Sequence, residues 1–185
     1  MCYNRMSLEI IMGPMFSGKT TELCRRVRRH DYTNHKVMVI NHISDSRYGA
    51  AADTLTHDNM SCPSLPVANL KELYARFDYT NTSYIYVNEA QFFNDLVDFC
   101  KTAVDVHQKH VIVFGLDGDF ERKAFGQILH LIPLANKIHK LTAMCRCCGD
   151  GTEALFTKRT TAEAAQILVG GDDKYMAVCR KHYIS

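Results

Sequence analysis

The chain predicts an α/β fold of the P-loop NTPase-like kind: a mainly parallel sheet flanked by helices, followed by a small C-terminal module. Three observations lead there. Short apolar runs alternate with helical patterns, as βαβ units require. The octapeptide Gly13-Pro14-Met15-Phe16-Ser17-Gly18-Lys19-Thr20 separates the first apolar run from the first helical pattern. The composition then changes at Cys145, beyond which lie four of the eight cysteines, a Gly170-Gly171 pair and no long apolar run. A chain of 185 residues has room for one domain and an appendage. The expected division is 1–143 for a nucleotide-binding domain and 144–185 for the second module.

In chain order, strands are expected at Glu9–Met12, Lys36–Asn41, Tyr84–Asn88, Val111–Leu116 and Lys137–Ala143, each a short apolar or β-branched run. Helices are expected over Lys19–Asn34, Leu70–Phe77 and Asn94–Gln108, the last capped by Asn94-Asp95. The stretch His42–Pro66 is polar and long for a connection, which suggests a lid or irregular segment.

The octapeptide fits G-x-x-x-x-G-K-[ST] at every fixed position. A glycine-rich turn between strand and helix aims several backbone N–H groups, and the positive end of the helix dipole, at one spot. A triphosphate suits that spot. Lys19 would reach the β- and γ-phosphates, and the Thr20 hydroxyl would bind Mg²⁺. The competing reading is a chance glycine turn before a helix.

The net charge of +2 leaves no general nucleic-acid footprint. The run Arg25-Arg26-Val27-Arg28-Arg29 is the exception, and reads either as a solvated helix face or as a binding patch. No apolar stretch of about 18 residues is present, so no membrane span is expected. Nor does Met1–Met6 contain the apolar region of a signal peptide. A reducing, cytoplasmic setting is therefore the expectation, with the cysteines as thiols or metal ligands.

Cys145 and Cys148 form C-x-x-C, and Cys179 and His182 form C-x-x-H. Two such knuckles match a tetrahedral Zn²⁺ site of three thiolates and one imidazole. With four protein ligands the site is closed, which points to a structural metal. Cys147 competes with Cys148 as a ligand through a shorter spacer. Four unrelated thiols and a surface histidine are the plainer alternative.

The run Tyr84–Val87 leads into Asn88-Glu89-Ala90-Gln91-Phe92-Phe93. Phosphate-loop enzymes deliver a carboxylate to magnesium from the end of a neighbouring strand. Here that place is taken by Asn88, which carries no charge. Glu89 follows at once and suits either of two roles. It could take a proton from an attacking hydroxyl, or cap the helix that follows.

These residues, with Leu116-Asp117-Gly118-Asp119-Phe120-Glu121-Arg122-Lys123, Leu141-Thr142-Ala143-Met144-Cys145 and Gly170-Gly171-Asp172-Asp173-Lys174-Tyr175, occur in an order that resembles one family. It is the zinc-containing, phosphate-loop thymidine kinases of cells and large DNA viruses. The resemblance runs from about Leu8 to Tyr183. It implies transfer of the γ-phosphate of ATP to the 5′-hydroxyl of thymidine, with Mg²⁺ beside ATP and structural Zn²⁺. By motif, Gly13–Thr20, Asp45, Ser46, Arg47, Asn88 and Gln91 would bind ATP, and Glu89 would be the general base. Met15, Phe92, Leu116, Phe120 and Phe125 would line the thymine pocket, a core stripe being the alternative for Phe125. Gln166, Ile167, Leu168, Val169, Gly170 and Tyr175 resemble the family's lasso loop, whose backbone reads the base. The resemblance also implies a homotetramer and feedback inhibition by thymidine triphosphate, with no nucleic acid or membrane as partner.

Asn88 is the main departure, because the family usually has Asp there. Loss of that charge weakens metal binding and transition-state stabilisation. It leaves open a natural variant compensated by Asp45 or Asp117, an engineered one, or a nucleotide-binding homologue of low activity.

Overall fold

The computed structural model describes residues 6–44, 53–55, 61–163, 165–166 and 170–185. Strand β1 (Ser7–Met12) runs through the phosphate loop into α1 (Lys19–Arg29), followed by β2 (Val37–His42). Three short strands follow: β3 (Asp53–Leu55), β4 (Ser61–Pro63) and β5 (Leu65–Val67). Then come α2 (Phe77–Thr80), β6 (Tyr84–Val87), α3 (Leu96–Lys101) and β7 (His110–Gly115). Strand β8 (Lys137–Lys140) precedes β9 (Ala143–Met144), β10 (Glu153–Ala154), β11 (Phe156–Arg159), β12 (Tyr175–Val178) and α4 (Arg180–Ile184).

Six strands form one sheet in the order β5-β2-β6-β7-β1-β8, and every neighbouring pair is parallel. A parallel sheet is stable when both faces are covered, and the alternation of side chains shows two covered faces here. Ile10, Ile40, Ile85, Val87 and Val113 pack with Phe93, Leu96, Phe99 and Leu131 on one face. Ile11, Val39, Tyr86, Ile112 and Phe114 pack with Leu23 and Cys24 of α1 on the other. Strand β8 closes one edge with exposed Lys137 and Lys140, a common guard against edge pairing.

Several elements differ from the sequence expectation in extent. The helix expected at Leu70–Phe77 is a 3-10 segment, Leu70–Ala75, followed by the single turn of α2. Asn69 and Glu72 cap it reciprocally. Asp95 stands at the N-cap of α3, but its carboxylate accepts from Lys71 N–H at 2.9 Å and so caps the other segment. The helix α3 continues as a π-turn over Thr102–Val106. The strand expected at Lys137–Ala143 is divided, because Leu141 N–H donates to Met12 O at 2.8 Å where the sheet ends and β9 turns to pair with β10. Of the span expected to be irregular, the described part holds β3, β4 and β5. Arg25 and Arg26 in the basic run are engaged by Glu22, and Arg26 also by Glu9.

Candidate active site

Because β2, β6, β7 and β1 are adjacent and parallel, their C-terminal ends share one edge. Ligands of open α/β sheets bind along that edge. His42, Asn88-Glu89, Leu116 and Gly13 all stand at or just beyond it.

The phosphate loop is shaped by close packing and by two left-handed residues. A Cβ on Gly13 would lie 2.5 Å from the carbonyl oxygen of Leu141, so no side chain fits there. Gly18 has open space around it but φ of +78°, so its backbone conformation is what favours glycine. Phe16 takes φ of 64° without being glycine. Its ring packs with Ala143, Cys145 and Val178 of the C-terminal region, while Met15 N–H donates to Thr157 Oγ1 at 3.0 Å. The loop is thus pinned to the second half of the chain. Buried Lys19 donates from Nζ to the carbonyls of Gly13 (3.1 Å) and Pro14 (2.6 Å). The N-cap residue of α1 is Gly18, which has no side chain to cap the helix, and the first-turn N–H groups of such a helix are what an anion site uses. Thr20 lies half-buried in that turn.

Glu89 is buried and sits in the left-handed region, with φ 48° and ψ 43°. Strain of that kind at a non-glycine residue costs about 1–3 kcal/mol and collects at functional sites. The strain aims a carboxylate from the end of β6. Gln91 Nε2 donates to Glu89 Oε2 at 2.6 Å, and Gln91 Oε1 accepts from Leu116 N–H at 3.0 Å. Gly115 and Gly126 both press on Gln91, and a Cβ on Gly115 would lie 2.6 Å from its Oε1. Asn88 is also buried and donates from Nδ2 to Asn41 Oδ1 at 3.3 Å, a neutral amide pair. Asp117, one of the two carboxylates considered as compensation for Asn88, is paired with Lys140 at 2.7 Å.

Beside this shelf, Phe92 and Phe125 meet edge to face at 5.7 Å, and His42 lies 5.7 Å from Phe92. Buried Asp119 organises the loop after β7, accepting from Glu121 N–H and Lys123 N–H, each at 2.9 Å. Its other oxygen accepts from Gln166 Nε2 at 2.7 Å. Phe120 carries the Arg159 guanidinium over its ring, and its carbonyl accepts from Tyr183 Oη at 2.7 Å. Tyr175 is buried at the start of β12, facing Arg159 across the β11–β12 ribbon. At Gly170 a Cβ would touch only the flexible Lys174 side chain, and Gly171 has room for one, so contacts within the protein do not demand glycine at either. Asp45, Ser46, Arg47, Ile167, Leu168 and Val169 lie outside the described residues.

The metal-type ligands converge. The ligand atoms of Cys145, Cys148, Cys179 and His182 all lie within 4.8 Å of one another, and this is the only such group among the described residues. His182 Nδ1 is 3.6, 3.3 and 3.4 Å from the sulfurs of Cys145, Cys148 and Cys179, and the latter two sulfurs are 3.8 Å apart. Zinc bonds of about 2.0–2.3 Å put the edges of a tetrahedron at about 3.3–3.8 Å, so this donor set fits zinc. Cys147 is exposed and points to Met176 instead, which resolves the choice in favour of Cys148. Burial opposes a thiolate at Cys145, yet N–H donors from Cys179, Cys148 and Cys147 hold its pKa down at about 6.

The sequence reading missed Asn41, Asp119, Arg159 and Tyr183. For Asp119 a signal existed, since an Asp after Gly in a turn commonly accepts from N–H groups two and four residues on. Asn41 and Tyr183 act through long-range contacts, and the partners of Arg159 follow no regular spacing, so none of the three leaves a local pattern.

Residues 6–183 match the family described as thymidine kinase. The chain is 42% identical over 182 residues to thymidine kinase a of Arabidopsis thaliana, covering 97% of this chain and 75% of that one. It is 43% identical over 179 residues to the cytosolic thymidine kinase of Homo sapiens, covering 97% and 74%. The thymidine kinase of Monkeypox virus is 44% identical over 177 residues, covering 96% of each chain. With a phosphate loop and a strained carboxylate on one sheet edge, and a match over nearly the whole chain, this chain belongs to the thymidine kinase family.

Proposed function

We propose that the chain is an ATP:thymidine 5′-phosphotransferase whose general base is Glu89. The observation that carries this reading is the buried, left-handed Glu89 at the end of β6, on the sheet edge where the phosphate loop leaves β1. The 5′-oxygen of thymidine attacks the γ-phosphorus, its proton passes to the Glu89 carboxylate, and the bond to the β-phosphate oxygen breaks to release ADP. Gln91 orients the carboxylate through its 2.6 Å hydrogen bond. Lys19 exchanges loop carbonyls for phosphate oxygens, and the loop and first-turn N–H groups of α1 hold the growing negative charge. Magnesium, when bound, neutralises the triphosphate, and Thr20 with Asn88 stand where they would face it.

Thymidine is held between Met15, Leu116, Phe92, Phe125, Phe120 and the 166–170 segment with Tyr175. Flat aromatic faces suit a base and leave no polar group of their own unpaired. The division at about Ala143 separates the ATP-holding part from the part that carries the metal and lasso. Cys145, Cys148, Cys179 and His182 would hold zinc, which would supply a structural tie between the base of the β11–β12 ribbon and the 145–148 knuckle. The same reading includes a homotetramer, feedback by thymidine triphosphate and a cytoplasmic setting, supported by the family. Among the described residues no helix is long and apolar enough to cross a membrane. An inactive nucleotide-binding homologue has only Asn88 in its favour, against Glu89, Gln91 and Lys19 all in place.

The test is product formation from ATP with thymidine and, in parallel, deoxycytidine. Thymidine monophosphate forming in preference to deoxycytidine monophosphate is expected. Binding of ATP with no nucleoside phosphorylated would overturn the proposal.

A further inference from the structure

We propose that Arg159 is the positioning residue that holds Glu163, Ala165 and Gln166 beside Phe120 and Tyr175 at the thymine end of the site, an inference that rests on the kinase reading above. Arg159 ends β11 directly opposite Tyr175 in the ribbon. Its guanidinium gathers partners from three directions. Nη1 donates to the carbonyls of Glu163 and Ala165, each at 2.6 Å. Nη2 donates to the Gln166 carbonyl at 3.2 Å and to Tyr175 Oη at 2.8 Å. Its flat face lies 3.7 Å from the centre of the Phe120 ring. One side chain therefore joins the loop backbone, the aromatic wall after β7 and the tyrosine at the loop's far end.

The chemistry explains why arginine is needed. Carbonyls at 163, 165 and 166 can all turn towards one point only if a multi-donor cation waits there. A planar fork supplies those donors and also stacks on an aromatic ring, which an ammonium cannot do. Gln166 adds a second tie, because its side chain reaches Asp119 in the same loop as Phe120. The placement of residues 163, 165 and 166 beside Phe120 and Tyr175 thus depends on one group whose hydrogen bonds and ring contacts, among the described residues, involve neither the phosphate loop nor Glu89. The opposite end of the ribbon carries Cys179, next to β12, which with Cys145, Cys148 and His182 would hold zinc.

The experiment compares the wild-type holoenzyme with Arg159→Lys and Arg159→Met. Both variants keep an alkyl stem, and the first keeps the charge. Thymidine KM is expected to rise about tenfold or more in both variants, with kcat and ATP KM within about threefold of wild type and zinc content unchanged. Hydrogen exchange of ligand-free protein is read beside the kinetics, and exchange across 160–174 is expected to quicken in both variants. An unchanged thymidine KM with unchanged exchange would overturn the proposal. So would parallel losses for both substrates with loss of zinc, which would make Arg159 a general structural element. If wild-type protein phosphorylates no thymidine, the kinase reading fails, and the exchange comparison still decides whether Arg159 holds residues 163, 165 and 166 in place.

Discussion

The phosphate loop and the β11–β12 ribbon, the two regions proposed to hold the ligands, are built by opposite means. The loop is set mainly by its neighbours in sequence, the end of β1, the left-handed Gly18 and the start of α1, with Leu141 and Thr157 as its distant contacts. The ribbon is set from far away. Thr157 accepts from Met15, Tyr183 reaches Phe120, Gln166 reaches Asp119, and Cys179 and His182 meet Cys145 and Cys148. A half built chiefly on local backbone geometry needs its glycines, a strand to leave and a few distant contacts. One built on long-range side chains, with a cluster of metal-type ligands, depends on many of them at once. On the function proposed above, the difference would separate chemistry at the sheet edge from base recognition that draws on the ribbon.

Three substitutions sharpen this separation, from the largest expected effect to the smallest. Glu89→Gln keeps the shape of the shelf and removes the proton acceptor. A fall in kcat of about 10²–10⁴ is expected, with thymidine KM barely changed, as steady-state kinetics will show. A rise in thymidine KM with kcat intact would instead assign Glu89 to binding.

Asn88→Asp tests the departure at the magnesium position. Asn41 can present its amide to the new carboxylate, so the pair at 3.3 Å is retained with a charge added. Turnover is expected to rise, and the magnesium needed for half-maximal rate to fall by about tenfold, the strength of a charge-assisted contact. A magnesium titration that leaves both unchanged would detach Asn88 from the metal.

The smallest effect is on stability rather than catalysis, at the Glu22 side chain of α1. The Glu22 carboxyl is held down from 4.5 to about 2, first by the Arg25 hydrogen bond and further by Arg26, against the opposing effect of burial. A carboxyl with a depressed folded-state pKa stabilises fully above its unfolded value and loses that contribution as pH falls towards the folded one. Thermal unfolding of Glu22→Gln should therefore show a loss of roughly 1 kcal/mol near neutral pH, shrinking to nothing as pH falls from about 4.5 to 2. A loss of equal size at both pH extremes would rule out the pairing as its source.

What the sequence makes legible follows the same line. The phosphate loop, β1, β2, β6 and β7 stand out because glycine spacing and apolar runs are local signals, and the knuckles stand out because two-residue spacers are. Leu70–Ala75 was misread because its apolar positions suit a helix, while its capping and packing produce a tight 3-10 segment. Asp95 looks like the cap of its own helix, yet bonds Lys71 N–H from a different segment. Glu89 could be named, but its left-handed backbone could not, since it arises where β6 ends and the chain must turn at once. Arg159 is invisible for a simpler reason. Its partners lie between four and thirty-nine residues away in sequence, and no spacing rule links them to it.

The most direct test of the two-part account is calorimetric binding of thymidine and of ATP to the protein before and after zinc is removed by a chelator. Thymidine affinity is expected to fall by more than about a hundredfold while ATP affinity changes by less than about tenfold, the residual loss reflecting Met15 and Phe16 at the ribbon. Equal losses for both ligands, or thymidine binding untouched by zinc removal, would contradict it.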